Sequence, residues 1–357
     1  MMMRKLCAGA AGLVSLLAVC AVPAAAWDRG QADIFAVLPD GSTGPEGLTV
    51  GPDGNVYVTT FGFNSTGDQP GLGQLFVFSP KGKLIRQVAV QGSEEHLLGL
   101  GFQPGVKDKV LIIDFGAGKV LNVDTKTGAS TVFTSAVLPG AGLNALTFDK
   151  AGNVYVSDSF NGIVQKVGPA GGTSTIWAQD PPPTPAHPPV LTPSGFPPFG
   201  ANGIEFNPAQ TIMYVANTAN DTIVQVPVNA DGTAGTPTVL TNSINGADGI
   251  AVDRQGNIWV CANQSDEIVV IDPTGKALAK LGDFNGIDRD GVPQGLFFPA
   301  SPAFSADGRF LVVSNLALDL RFAAGAPSIV SDYADEVKTY TVSRVRAKIP
   351  PIHGDDD

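Results

Sequence analysis

The 357 residues carry 43% hydrophobic side chains, enough for one large all-β domain or for two domains, and length alone does not choose between them. The 43 glycines and 28 prolines point to many turns rather than long helices. A formal charge of −11 and an isoelectric point near 4.7 argue against nucleic acid or an anionic membrane surface as the main partner.

Met1 to Ala26 has the pattern of a secretory signal peptide. Arg4 and Lys5 supply the positive start, Leu6 to Val22 the apolar stretch, and Ala24-Ala25-Ala26 small residues for cleavage before Trp27. The alternative, a transmembrane anchor, is weakened by the shortness of the run and the lack of a second hydrophobic span. A secreted or periplasmic protein without a membrane span is therefore expected. Cys20 follows Leu17-Ala18-Val19, a poor lipoprotein site because Val19 is bulky. Cleavage would remove Cys7 and Cys20, leaving Cys261 inside an apolar run as a buried core thiol with no intrachain disulfide.

Residues 31–38 form a lone strand-like run. A repeated unit then begins: a polar residue, Gly or Ala and an apolar run, a turn such as Pro52-Asp53-Gly54, and Val-Tyr-Val or its equivalent. In the first unit strands are expected near 47–50, 55–60, 74–79 and 83–90. The following units run from Leu98 to about Thr134, Asn144 to Trp177, Asn202 to Leu240 and Asp248 to Leu281. The sixth starts at Ala300 and supplies three strands, the last expected over Glu336 to Val342. Four short strands per unit of roughly 40–55 residues, without helical period, predict propeller blades. The fold expected is an all-β, six-bladed β-propeller over residues 27–345, followed by an acidic tail at 346–357. The run 31–38 would close the ring by pairing into the last blade, removing two open sheet edges. Two β-sandwich domains, the alternative, would leave the sixfold recurrence unexplained.

In such a ring the first strand of each blade lines a central channel. The leading residues of the six units, here called headers, are Glu46, Leu98, Asn144, Asn202, Asp248 and Ala300. Long connections at 61–73, 178–201, 283–299 and 316–334 rim the same face, whereas the opposite face has tight turns; a ligand site is expected on the elaborated face. The Pro-rich stretch within 178–201 reads either as part of that rim or as a stiff spacer without contacts. Two carboxylates and two carboxamides converging in a shielded channel would repel unless a cation lies between them. An all-oxygen set suits Ca²⁺, with Mg²⁺ the other candidate, whereas Zn²⁺ would call for His or Cys. The bland alternative is that the headers only cap strands by hydrogen-bonding one another and channel water.

At Pro45-Glu46-Gly47, Leu143-Asn144, Ala201-Asn202-Gly203 and Ala247-Asp248-Gly249 the chain resembles the senescence-marker-protein/gluconolactonase/luciferin-regenerating-enzyme family of calcium-dependent six-bladed propellers. Its framework is also similar to the functionally mixed NHL repeat. The family resemblance implies Glu46, Asn144, Asn202 and Asp248 as metal ligands, and Asp248 as base or nucleophile in hydrolysis of a lactone or related ester. Sugar-lactonase members carry an arginine and an aspartate where this chain has Gly142 and Ala145, so a sugar acid is a poor specific guess. Leu98, Ala300 and the rim residues Phe61, Phe63, Phe297 and Phe298 suit a more apolar small molecule. His96, two positions before Leu98, is a candidate substrate contact, while His187, among prolines, is expected at the surface. The competing function is a non-enzymatic NHL-like module that binds a protein or glycan around a structural ion.

Overall fold

The computed structural model describes residues 31–185, 187–320 and 333–349. The predicted signal at Met1–Ala26 lies outside the described residues, and of the predicted tail only 346–349 lie within them. Among the described residues no helix is long and apolar enough to cross a membrane.

Six four-stranded antiparallel sheets form the six blades of a β-propeller. Blade one comprises Pro45–Val50, Val56–Thr60, Gln74–Phe78 and Leu84–Ala89. The next four blades repeat this meander, with inner strands Leu97–Gly101, Leu143–Phe148, Ala201–Phe206 and Ala247–Val252. Blade six contains Pro299–Phe304, Phe310–Asn315 and Thr341–Arg346, with Asp33–Val37 paired antiparallel to the last of these. Each inner strand packs against that of the next blade, and blade six returns to blade one.

Chemistry local to each blade explains the recurrent signature. Asp53 accepts hydrogen bonds from the Asn55 amide at 2.7 Å and the Tyr57 hydroxyl at 2.9 Å. The same carboxylate bracket recurs as Asp149 with Asn153 and Tyr155, and as Asp253 with Asn257 and Trp259. The Gly-Asn-aromatic pattern thus fixes the turn between first and second strands, on the face away from the headers. Second strands such as Val56–Thr60 and Ile258–Ala262 are buried along their length, sandwiched between neighbouring blades, as their β-branched and aromatic content suits.

Contacts between blades are close at the channel. A Cβ on Gly47 would lie 2.1 Å from the Leu98 carbonyl oxygen, and one on Gly203 would lie 2.2 Å from that of Asp248. Only glycine allows backbones to approach so closely. Hydroxyls bridge the same seams: Thr59 donates to Leu98 O at 2.7 Å, Ser159 to Ala201 O at 2.8 Å and Thr218 to Ala247 O at 2.7 Å. Across the last seam Ser314 of blade six donates to Glu46 O of blade one at 2.6 Å.

Two local expectations are corrected. The last strand of blade six is Thr341–Arg346, not 336–342; Ala334–Glu336 is a short 3₁₀ turn. The strand must pair on both sides, with Phe310–Asn315 and with Asp33–Val37, and Thr341–Arg346 alone satisfies both registers. The rim connections at 61–73 and 283–299 also carry small hairpins of their own, Phe63–Asn64 with Gly67–Asp68 and Phe284–Ile287 with Pro293–Gly295.

Candidate functional site

Each header is the second residue of its inner strand, and each inner strand breaks register there. Pro45 pairs with Thr60 but Leu48 with Val58, so one extra residue is accommodated. Equivalent irregularities follow Leu97, Leu143, Ala201, Ala247 and Pro299. A bulge re-aims the side chain it carries. Here it turns Glu46, Leu98, Asn144, Asn202 and Asp248 toward one cavity at the mouth of the channel.

A second ring supports the first. The residue directly after each second strand is Phe61, Phe115, Ser159, Thr218, Asn263 or Leu316, and four of these (Phe61, Thr218, Asn263 and Leu316) line the same cavity. Asn263 donates through Nδ2 to Asp248 Oδ2 at 3.0 Å. Thr218 accepts from Asn202 Nδ2 at 2.9 Å while donating to the Ala247 carbonyl. Sequence reasoning missed Asn263 and Thr218. Their only signal is a constant offset beyond the Val-Tyr-Val run, at a position where residue type varies from blade to blade.

The four polar headers are each no more than 5% exposed. Burial, and after it the charge of Asp248, holds Glu46 well above the usual carboxylate range. Burial pushes Asp248 up to about 7, while the amides of Asn263 and Asn202 pull the other way. Among the described residues neither carboxylate has a lysine or arginine partner. Three buried oxygens on residues of the cavity wall have no hydrogen-bond donor: Glu46 Oε2, Asn202 Oδ1 and Asn263 Oδ1. Leaving such acceptors unmet costs roughly 1–3 kcal/mol each. A divalent cation in this cavity would neutralise the paired carboxylates and draw on oxygen donors from its wall, so this donor set fits calcium.

The cavity offers about 40 Å³ to the centre of a water molecule, room for an ion with one or two waters. Pro197 and Phe199 from the Pro-rich connection form part of its wall, which rules out a spacer without contacts. Leu98, Leu316, Leu318, Leu320 and Phe298 make the remainder apolar. Phe115, Phe160 and Phe199 extend the aromatic surface beside the mouth, with Phe160–Phe199 centroids 5.3 Å apart and Phe61–Phe115 centroids 5.7 Å apart.

Of the predicted substrate contacts, Phe61 and Phe298 reach the cavity; Phe297 and His96 do not line it. Phe297 turns into the blade-six core and stacks on Phe284 at 4.6 Å. Its neighbour faces the other way because Phe298 adopts φ +49°, held by a 2.7 Å hydrogen bond from its N–H to Asp266. His96 lies outside the cavity wall, against the rings of Phe61 and Phe63. Cys261 is free and buried.

Residues 93–282, more than half of the chain, match the SMP-30/Gluconolactonase/LRE-like region. The chain belongs to that family. Residues 32–61 also match the N-terminal region of strictosidine synthase-like proteins. No curated protein matches the chain significantly in sequence. Among solved structures of this shape, a luciferin-regenerating enzyme is similar with TM-score 0.63 and 14% identity, over 88% of this chain and 95% of the other. Regucalcin of Agrobacterium tumefaciens, a calcium-binding protein, gives 0.61 and 19% over 91% and 98%. A gluconolactonase of Xanthomonas campestris gives 0.60 and 13% over 88% and 89%. At such identities the likeness to these structures is one of fold.

Proposed function

We propose that this family member is an exported calcium-dependent hydrolase acting on a lactone or related ester with a substantial apolar portion. The observation that carries the proposal is the set of three donorless buried oxygens, Glu46 Oε2, Asn202 Oδ1 and Asn263 Oδ1, beside a second buried carboxylate. Glu46, Asn144, Asn202 and Asp248 would hold the ion, with Asn263 a further oxygen donor. When bound, calcium supplies charge that polarises a carbonyl oxygen. The calcium-binding regucalcin and the gluconolactonase of similar fold support this reading, as does the signal-like N-terminal sequence.

Asp248 is assigned as the base. The Asn263 amide anchors its Oδ2, fixing the plane of the carboxylate, and a bound cation would keep that carboxylate ionised and able to accept a proton. Asp248 would take a proton from the attacking water; the acyl C–O bond then breaks and the proton passes to the departing alkoxide oxygen. Glu46, two blades away across blade six, would supply a second negative charge to the ion. Leu98, Leu316 and Phe298 exclude bulk water, which strengthens every electrostatic contact inside. A side chain at Gly142 would meet the Phe160 ring at 2.8 Å, so an aromatic surface stands where sugar-lactonase members carry arginine. This favours an apolar substrate seated over the mouth.

Metal analysis of the purified protein, followed by a panel of alkyl lactones and aryl esters with and without chelator, tests the proposal. Bound calcium, activity abolished by chelation and loss of activity in Asp248→Ala and Asn202→Ala are expected. Activity that survives chelation would refute it. The small volume of the cavity favours the second reading, a binding propeller with a structural ion; calcium without any Asp248-dependent hydrolysis would select it.

A further inference from the structure

On the rim of blades one and two, Asp68, Glu95 and His96 bring one ligand atom each within 4.8 Å of one another. We propose that these three residues form a second, transition-metal site of the zinc class, separate from the channel and independent of the hydrolase reading.

Three features set this trio apart from an ordinary surface ion pair. The first is the orientation of the imidazole. His96 Nδ1 lies 2.5 Å from the Phe61 backbone carbonyl, which can only accept, so Nδ1 carries a proton and Nε2 is the ring nitrogen placed to bind a metal. Metal-bound histidines are held in this way by a carbonyl behind the ring. The second is spacing. Nε2 lies 3.6 Å from Asp68 Oδ1 and 3.8 Å from Glu95 Oε1. Both separations exceed a hydrogen bond, so the ring donates to neither carboxylate. An ion with nitrogen and oxygen ligands at about 2.0–2.2 Å in tetrahedral array sets ligand atoms about 3.3–3.6 Å apart, close to the two separations from Nε2. The third is rigidity. Phe63 stacks on the ring at 5.2 Å and Phe61 packs at 5.0 Å, while Gly62, at φ +77°, brings the backbone so near that a Cβ would stand 3.0 Å from Nδ1.

One imidazole and two carboxylates select a first-row transition ion over calcium, which prefers an all-oxygen shell. The three ligands join the small hairpin containing Asp68 to the segment leading into blade two. Phe61, whose carbonyl holds His96, is also a wall of the channel cavity. An ion here would therefore clamp the rim and fix that wall.

The test uses the full chain, stripped of metal and then reloaded with calcium so that the channel is filled. Co²⁺ alone is titrated by visible absorption, Zn²⁺ alone by calorimetry and by displacement of Co²⁺. One equivalent of Co²⁺ with d–d bands, displaced by Zn²⁺, is expected. Asp68→Asn, at an exposed position, and His96→Gln should each weaken binding by about 100-fold or more, since even outer partners of metal ligands contribute 10–100-fold. Asp248→Asn should retain the signal. Zn²⁺ should also slow amide exchange across residues 63–68 in the wild type but not in Asp68→Asn. Absence of Co²⁺ or Zn²⁺ binding to the folded wild type would overturn the proposal. So would unchanged affinity in folded Asp68→Asn, or loss of the signal in Asp248→Asn.

Discussion

The channel has a carboxylate toward each end, and the two are unlike. Toward the face with tight turns, Glu205 is held above the usual carboxylate range by burial, but it is only half-buried and its Oε1 accepts hydrogen bonds from Thr147 Oγ1 at 2.9 Å and the Phe206 N–H at 2.8 Å. Toward the elaborated face, Glu46 is more completely removed from water, with Oε2 lacking any donor and Asp248 adding repulsion. Burial raises both; only the second is left wanting a cation. A carboxylate that solvent still reaches needs no ligand, whereas one sealed from water with an unmet acceptor beside a like charge marks a ligand site.

The largest expected effect follows directly. Glu46→Gln and Asp248→Asn should each abolish measurable calcium binding in calorimetry, and Asp248→Asn should lower hydrolysis by about 10³-fold or more on any lactone the wild type accepts. Glu205→Gln should change both by less than about threefold. Equal losses at the two ends would erase the distinction.

The pH dependence is the next largest effect. Glu46 and Asp248 have folded values above their unfolded ones, so the folded metal-free protein holds protons more tightly. Their contribution favours folding at low pH and is lost as pH rises from about 4 through about 7. The melting temperature of metal-free protein should therefore carry a component that falls between pH 5 and 8. Calcium at a hundredfold excess over its Kd adds about 2.7 kcal/mol, with a larger thermal shift at pH 8 than at pH 5. Asp248→Asn should flatten the pH dependence and stabilise the metal-free protein at pH 8, because it removes a buried charge without a partner.

Smaller effects concern the seams and the rim. Gly203→Ala drives a methyl into the Asp248 carbonyl and should cost about 1–3 kcal/mol in urea unfolding, with weakened calcium binding. Gly232→Ala, in an open turn on the opposite face at φ +80°, introduces strain without a clash and should leave calcium affinity unchanged. Phe199→Ala should raise KM for apolar esters about tenfold with little change in kcat, since it removes uniform binding at the mouth.

Much of the channel ring was legible in the chain. A Gly-Asn-x-aromatic turn in blades one, three and five sets their phase, so Glu46, Asn144 and Asp248 could be placed by counting back from it, and Asn202 by its Asn-Gly-Ile start and the Met213-Tyr214-Val215 run. Asn263 and Thr218 were not legible, because their ring position holds Phe, Phe, Ser, Thr, Asn and Leu in turn and shows no shared chemistry. The direction of Phe297 against Phe298 was hidden for a different reason. It depends on a left-handed backbone held by Asp266, a residue from another blade.

Strand order, blade number and the phase of the polar headers follow from turn chemistry and alternation acting over about ten residues, and the linear chain carries them. The bulge that aims each header inward follows from blades packing within carbonyl contact of one another. The unmet oxygens, the apolar wall contributed by the Pro-rich connection and the close spacing of Asp68, Glu95 and His96 arise only once the ring closes. Each depends on groups far apart in sequence sharing a volume from which water is partly or wholly excluded, and local periodicity holds no record of that.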